Sequence, residues 1–128
     1  MVKLNRLLLL ALAVLGLSGC TTPTITNLTP SRLPRKDNGQ YLLSVEWYSR
    51  QQSLIDESMK AFVIVGVDQY PMQRTPLLAN RWETLVPVPS DQDVLTYRYQ
   101  FNYDYRGFPG ARADSKQSKS YQLFLIDQ

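Results

Sequence analysis

Val94-Leu95-Thr96-Tyr97-Arg98-Tyr99-Gln100-Phe101-Asn102-Tyr103-Asp104-Tyr105 decides the fold of this chain. Successive side chains of a strand point to opposite faces, so Leu95, Tyr97, Tyr99, Phe101, Tyr103 and Tyr105 share one face, and Thr96, Arg98, Gln100, Asn102 and Asp104 share the other. An aromatic face opposite a polar one is a strand laid over a core. Gly107, Pro109 and Gly110 break it, and Ala111 to Ser120 reads as a charged, flexible loop. Tyr121 to Ile126 then closes the chain as a last strand.

Moving outward from that strand, the same period recurs. Tyr41 to Tyr48 places Tyr41, Leu43, Val45 and Trp47 on one face, with Trp47 as a core anchor. Ala61 to Val67 is nearly continuous and β-branched, which suits a central strand covered on both faces. Tyr70-Pro71-Met72 reads as a short edge strand. Arg81 to Val88 aligns Trp82, Thr84, Val86 and Val88, and Pro87 marks an edge or an early end. Ser49 to Lys60 reads as a polar loop with room for a short helix. Pro30 and Pro34 bracket an exposed or edge segment, and Lys36-Asp37-Asn38-Gly39 is a turn.

About seven short strands, with turn signals between them and no long helix, predict an all-β protein: an antiparallel sandwich of immunoglobulin or fibronectin III type. A small closed barrel is the alternative. The domain occupies residues 31–128.

Composition removes several kinds of function. The 128 residues contain no histidine and one cysteine, Cys20, so a metal site built on imidazole or thiolate is excluded and no disulfide joins the domain. No glycine-rich phosphate loop and no serine elbow is present. Asp56-Glu57 and Asp91/Asp93 fall in loops, and calcium asks for six or more oxygens. The reading is therefore non-enzymatic, without cofactor or metal. Removing residues 1–19 takes away Lys3 and Arg6 and no acid, so the formal charge falls from +3 to +1. A near-neutral chain without a basic cluster gives no case for nucleic acid.

The N-terminus carries a second, independent signal. Lys3 and Arg6 precede an apolar run from Leu7 to Leu17, too short for the roughly 20 residues that span a bilayer. With Leu17-Ser18-Gly19-Cys20 it resembles the signal peptide and lipobox of bacterial lipoproteins. That resemblance implies a helical signal peptide over 1–19, cleavage before Cys20, and acylation of Cys20 as the first mature residue. Residues 20–30 then read as the acylated cysteine and a tether, polar from Thr21 to Asn27 and running into a first strand with Ile25 and Leu28 as its apolar handles. Two or more acyl chains hold a protein on a bilayer where one does not. Thr21 replaces the aspartate that retains many Gram-negative lipoproteins in the inner membrane, so the resemblance implies the outer membrane in such an envelope.

Arg81-Trp82-Glu83-Thr84-Leu85-Val86-Pro87-Val88-Pro89, followed by Tyr97-Arg98-Tyr99-Gln100-Phe101-Asn102-Tyr103, looks like the second half of early-set immunoglobulin-like domains related to glycogen- and starch-binding modules. The resemblance covers about 25 residues and is largely a core pattern. The expected function is a non-catalytic, membrane-anchored lipoprotein whose domain binds an envelope protein; a carbohydrate-binding module that meets a glycan is the alternative. Trp82, Tyr70 and Tyr105 are the candidate contacts, and an exposed apolar patch or free edge is expected near Tyr70 to Met72 or in 107–120.

Overall fold

The computed structural model describes residues 22–127; the stretches read as a signal peptide and lipobox, with Cys20, lie outside the described residues. Ten strands follow in order: β1 (Thr24–Asn27), β2 (Arg32–Pro34), β3 (Gln40–Tyr48), β4 (Leu54–Val65), β5 (Asp68–Pro71), β6 (Gln73–Arg74), β7 (Arg81–Pro87), β8 (Val94–Arg106), β9 (Ala111–Gln117) and β10 (Tyr121–Ile126). One sheet has the order β1-β3-β7-β6; the other has β2-β10-β8-β4-β5, with β9 also on β8. This is the strand order of an immunoglobulin-like sandwich with an added edge strand.

Both lateral seams are closed by chain that changes sheets. β1 pairs with β3 and β2 with β10, so the N-terminal segment crosses from one sheet to the other. β5 pairs with β4 and β6 with β7, and the crossing residue between them, Met72, is buried and donates its amide to the Ala61 carbonyl at 2.8 Å. These crossings, with the hairpin strand β9, raise the strand number from the expected seven to ten.

The core forms where the alternating faces meet. Tyr41, Leu43, Val45 and Trp47 of β3 oppose Leu95, Tyr97, Tyr99, Phe101 and Tyr103 of β8, all buried. The Trp47 ring lies 4.7 Å from Phe101 and 5.3 Å from Tyr103, centroid to centroid, and Trp82 meets the edge of Phe101 at 6.2 Å. Such ring pairs add about 0.5–1.5 kcal/mol each beyond the area they bury.

Three segments differ from the sequence reading. Residues 54–60, expected in a loop, begin β4, which takes up extra residues as a bulge between Ile55 and Lys60. The Ser58 hydroxyl there donates to the Ile55 carbonyl at 2.6 Å and accepts the Asp104 amide at 2.8 Å. A polar bulge can thus be held in a ladder by one serine. Ala111 to Gln117, expected as a loop, is the strand β9, exposed along its whole length. It continues the edge that β10 occupies on β8; at the break the Ser118 hydroxyl accepts the Tyr99 amide and the Ser118 amide reaches the Tyr99 carbonyl, both at 2.9 Å. Within the stretch read as a tether, Thr24–Asn27 pairs with Asn27 opposite Val45, so ordered sandwich begins at Thr24.

The N-terminal crossing is held by polar groups inside the sandwich. The Tyr99 hydroxyl donates to Asn27 Oδ1 at 2.6 Å and lies 3.0 Å from both Thr29 Oγ1 and the Ser44 carbonyl. Asn27 Oδ1 also accepts the Thr29 amide at 3.1 Å, Asn27 Nδ2 donates to the Tyr97 hydroxyl at 3.0 Å, and Thr29 Oγ1 accepts the Ser44 amide at 2.9 Å. Burial pushes the Tyr99 phenol far up, against the opposing bond with Thr29. Burial, followed by the nearby Asp114 carboxylate, pushes Tyr103 up to about 12.

The folded chain holds these phenolic protons more tightly than the unfolded chain does. Their stabilisation is complete below the ordinary phenol value of 10.0 and declines as pH rises past it, through about 12 for Tyr103. The urea midpoint is expected to stay level between pH 7 and 9 and to fall at pH 11. Tyr99→Phe, which strips partners from Asn27 and Thr29, is expected to cost about 1–3 kcal/mol at pH 7. It also weakens the drop between pH 9 and 11; a variant with the same alkaline drop as the parent would assign the effect to other groups.

Candidate interaction surface

The three aromatic candidates do not form one site. Tyr70 on β5 is half-buried against the core and lines, with Val88 and Leu95, an open depression of about 440 Å³. It pairs with Val63, whereas Tyr105 pairs with Leu54, so the two lie at opposite ends of β4. Trp82 belongs to the other sheet and is buried, with the Arg74 guanidinium 4.5 Å above its ring. Since Met72 is buried as well, Tyr70 to Met72 presents no apolar patch. Of the stretch 107–120, the strand β9 does present an edge: it pairs with β8 on one side, and no strand pairs with its other side among the described residues.

Sheet period explains how β9 is kept polar. Arg112, Asp114 and Lys116 stand opposite Tyr105, Tyr103 and Phe101, on the side of the strand that faces the core layer. There the Tyr103 hydroxyl donates to Asp114 Oδ2 at 3.2 Å. Charges on the inward side of an edge strand discourage pairing with other chains. This edge is therefore guarded.

A different surface is apolar. Phe124 stands directly opposite Val94 on the outer face of the second sheet, and Ile126 follows two residues later on the same face. They are 42%, 38% and 44% exposed. β2 extends the row, with Pro34 beside Ile126 and Arg32 beside Phe124. Thr96 and Gln122 continue the face as a polar border, and Arg98 beyond them has a buried Nε without a hydrogen-bond partner. An apolar centre with a polar rim is the anatomy of a protein interface.

Sugar stacking has no comparable platform. The exposed rings Tyr48, Phe124 and Phe108 lie on the first sheet, the outer face of the second and the β8–β9 hairpin tip respectively. Three carboxylates are engaged in ion pairs that brace the fold. Arg35 bonds Asp93 and Asp127 and donates to the carbonyls of Ser90 and Gln92, tying the 88–93 loop to the last strand, while Arg74 holds Asp56 at 3.2 Å. Among the described residues no group of three or more His, Cys, Asp or Glu side chains is placed to hold a metal ion.

The sequence reading passed over the Val94, Phe124 and Ile126 row. Its signal was present in Leu123-Phe124-Leu125-Ile126, which is apolar at every position although only Leu123 and Leu125 are buried.

No protein-family profile matches the chain, and no curated protein matches it. Among solved structures, it is similar to the crystal structure of AggA, the major subunit of aggregative adherence fimbriae type I from Escherichia coli. The identity is 10%, the TM-score is 0.46, and the match covers 86% of this chain and 98% of that one.

The two faces of β10 are expected to respond differently to substitution. Leu123→Ala opens a hole in the core and should cost about 2–5 kcal/mol. Phe124→Ser removes a side chain that lies outside the core and is 42% exposed, and should cost less, about 1 kcal/mol. Chemical denaturation of the two variants checks this; equal losses would mean that Phe124 serves the fold rather than a surface.

Proposed function

We propose that this chain is a lipid-anchored, non-catalytic protein of the bacterial cell envelope whose sandwich docks another protein on the Val94, Phe124 and Ile126 face. The observation that carries the reading is that row of large side chains, contiguous by strand register and left 38–44% exposed on a face where alternation would place polar residues. Leaving it exposed costs solubility and adds nothing to the core, which supports a surface kept for a partner.

The lipobox-like Leu17-Ser18-Gly19-Cys20 supports the anchor. Acylated Cys20 would fix the domain to a bilayer, and Thr21 directs it to the outer membrane in a Gram-negative envelope. A standard partner would cover roughly 800 Å² of the domain. That is wider than the apolar row, so the footprint would take in Arg32, Thr96 and Gln122 at its border.

The test is purification of the full-length chain, C-terminally tagged, from gently solubilised membranes of its own host. Palmitate labelling is expected in the parent and absent in Cys20→Ala. A stoichiometric protein should accompany the parent, and Phe124→Lys should lower its recovery at least tenfold, since central apolar contacts commonly contribute about 2 kcal/mol or more. Labelled lipoprotein that comes out alone would leave the anchor and remove the docking role.

A further inference from the structure

One end of the sandwich differs from the other in charge, and it is the end at which the described chain begins. Thr24 stands opposite Tyr48, the last residue of β3. The β6–β7 loop closes there too, since Arg81 is opposite Glu46 and the Asn80 carbonyl accepts the Trp47 amide at 2.8 Å. Trp47 packs across the core on Phe101 and Tyr103, so the β8–β9 hairpin, with its tip at 107–110, extends past the same end.

The segments at this end, 49–53, 74–81 and 106–112, contain Arg50, Arg74, Arg81, Arg106 and Arg112; of these Arg74 is engaged by Asp56, which has Glu57 beside it. The turns and terminus at the far end hold Asp37, Asp68, Asp91, Asp93 and Asp127, with Arg35 and Lys36 as the cations among them. Beside the chain start, Lys116 and Lys119 line a groove of about 410 Å³ with Thr22 and Pro23.

The basic end also presents large apolar side chains to water. Leu77 is 105% exposed and Phe108 is 89% exposed, with Leu78 half-exposed beside Leu77. Leu77 adopts a φ of 65°, a left-handed conformation uncommon for a leucine. Strained backbone that turns an apolar side chain fully outward adds nothing to the core and points to a contact outside the molecule.

Chain length identifies the occupant. Thr24 is four residue steps from Cys20, and at about 3.3–3.6 Å per step they reach no more than roughly 14 Å. A gap of that size is narrower than a small folded domain, whose radius of gyration alone is about 13 Å.

We propose that this end is a membrane-docking face, seated on the bilayer that holds the acyl chains of Cys20. The inference rests on the lipid-anchor reading above. Leu77 and Phe108 enter the boundary between headgroups and acyl chains, and Arg50, Arg81 and Arg106 bond lipid phosphates in the forked geometry that suits a guanidinium. The domain stands on its loops with the β strands rising from the surface.

The full-length lipoprotein, reconstituted in vesicles of phosphatidylethanolamine and phosphatidylglycerol with shallow doxyl-labelled acyl chains, tests this in three variants. Leu77→Trp and Phe108→Trp place a probe at the proposed face, and Val67→Trp places one at the far end, where Val67 is 97% exposed. These positions are on the surface, and near-ultraviolet circular dichroism confirms that each variant keeps the parent's packing. The docking face predicts blue-shifted emission and at least twofold stronger quenching for the first two than for Val67→Trp. If Cys20 is acylated, the protein floats with the vesicles and all three variants quench alike, the docking face is overturned and the anchor stands. If mass spectrometry finds Cys20 unacylated, the anchor reading falls and this inference falls with it.

Discussion

The buried hydroxyl of Tyr99 is the constraint on which the N-terminal half of the fold depends. A phenol in the core without partners costs several kcal/mol in an apolar medium, so its position requires groups that can bond it. They come from the chain that crosses between sheets: Asn27 from the end of β1, Thr29 from the crossing, and the carbonyl of Ser44 from β3. Satisfying the phenol therefore fixes where β1 ends and where the chain leaves the first sheet for β2. The other seam reaches the same result by apolar means, with Met72 as the buried residue at its crossing.

This difference between the seams explains what the sequence made legible. Period-two alternation works for strands with one wet face, and β3, β7 and β8 were readable with their core residues because each has one. β9 was not, since Ala111 to Gln117 is exposed on both faces and its polarity is that of a loop. The opening of β4 was hidden by a bulge whose ladder is repaired by the Ser58 hydroxyl, an interaction with no periodic signature. β1 was obscured for a related reason: Asn27 faces the core as a hydrogen-bonding residue, so a polar letter stands at an inward position. The triplet Asn27-Leu28-Thr29 carries structural meaning through its two outer side chains, which only the partners on β3 and β8 disclose.

The candidate site was less legible than the fold. Aromatic residues attract attention as ligand contacts, yet Trp82 is enclosed between Phe101 and the Arg74 guanidinium. Most large rings in this chain pack the core, as their alternation requires. The apolar surface is made instead by Val94, Phe124 and Ile126, which join only through the register of β8 and β10. Register is not written in either strand alone. What the sequence does contain is the local irregularity, a last strand without alternation, and such departures are where a solvent-facing function can be sought.

The two proposed contacts impose a geometry on each other. Val94 opens β8 and Ile126 closes β10, so the apolar row lies toward the end opposite the β8–β9 hairpin tip. β8 is 13 residues long, and at about 3.3 Å per residue it spans roughly 40 Å. A domain standing on its basic loops would thus hold the protein-docking row tens of ångströms above the lipid surface. With Cys20 as the proposed anchor, the four residues before Thr24 would make that height a property of the fold rather than of a flexible linker, because the sandwich would have little freedom to turn the row toward the bilayer. On that proposal long strands and a short tether would serve one purpose: to set the distance at which a partner is met.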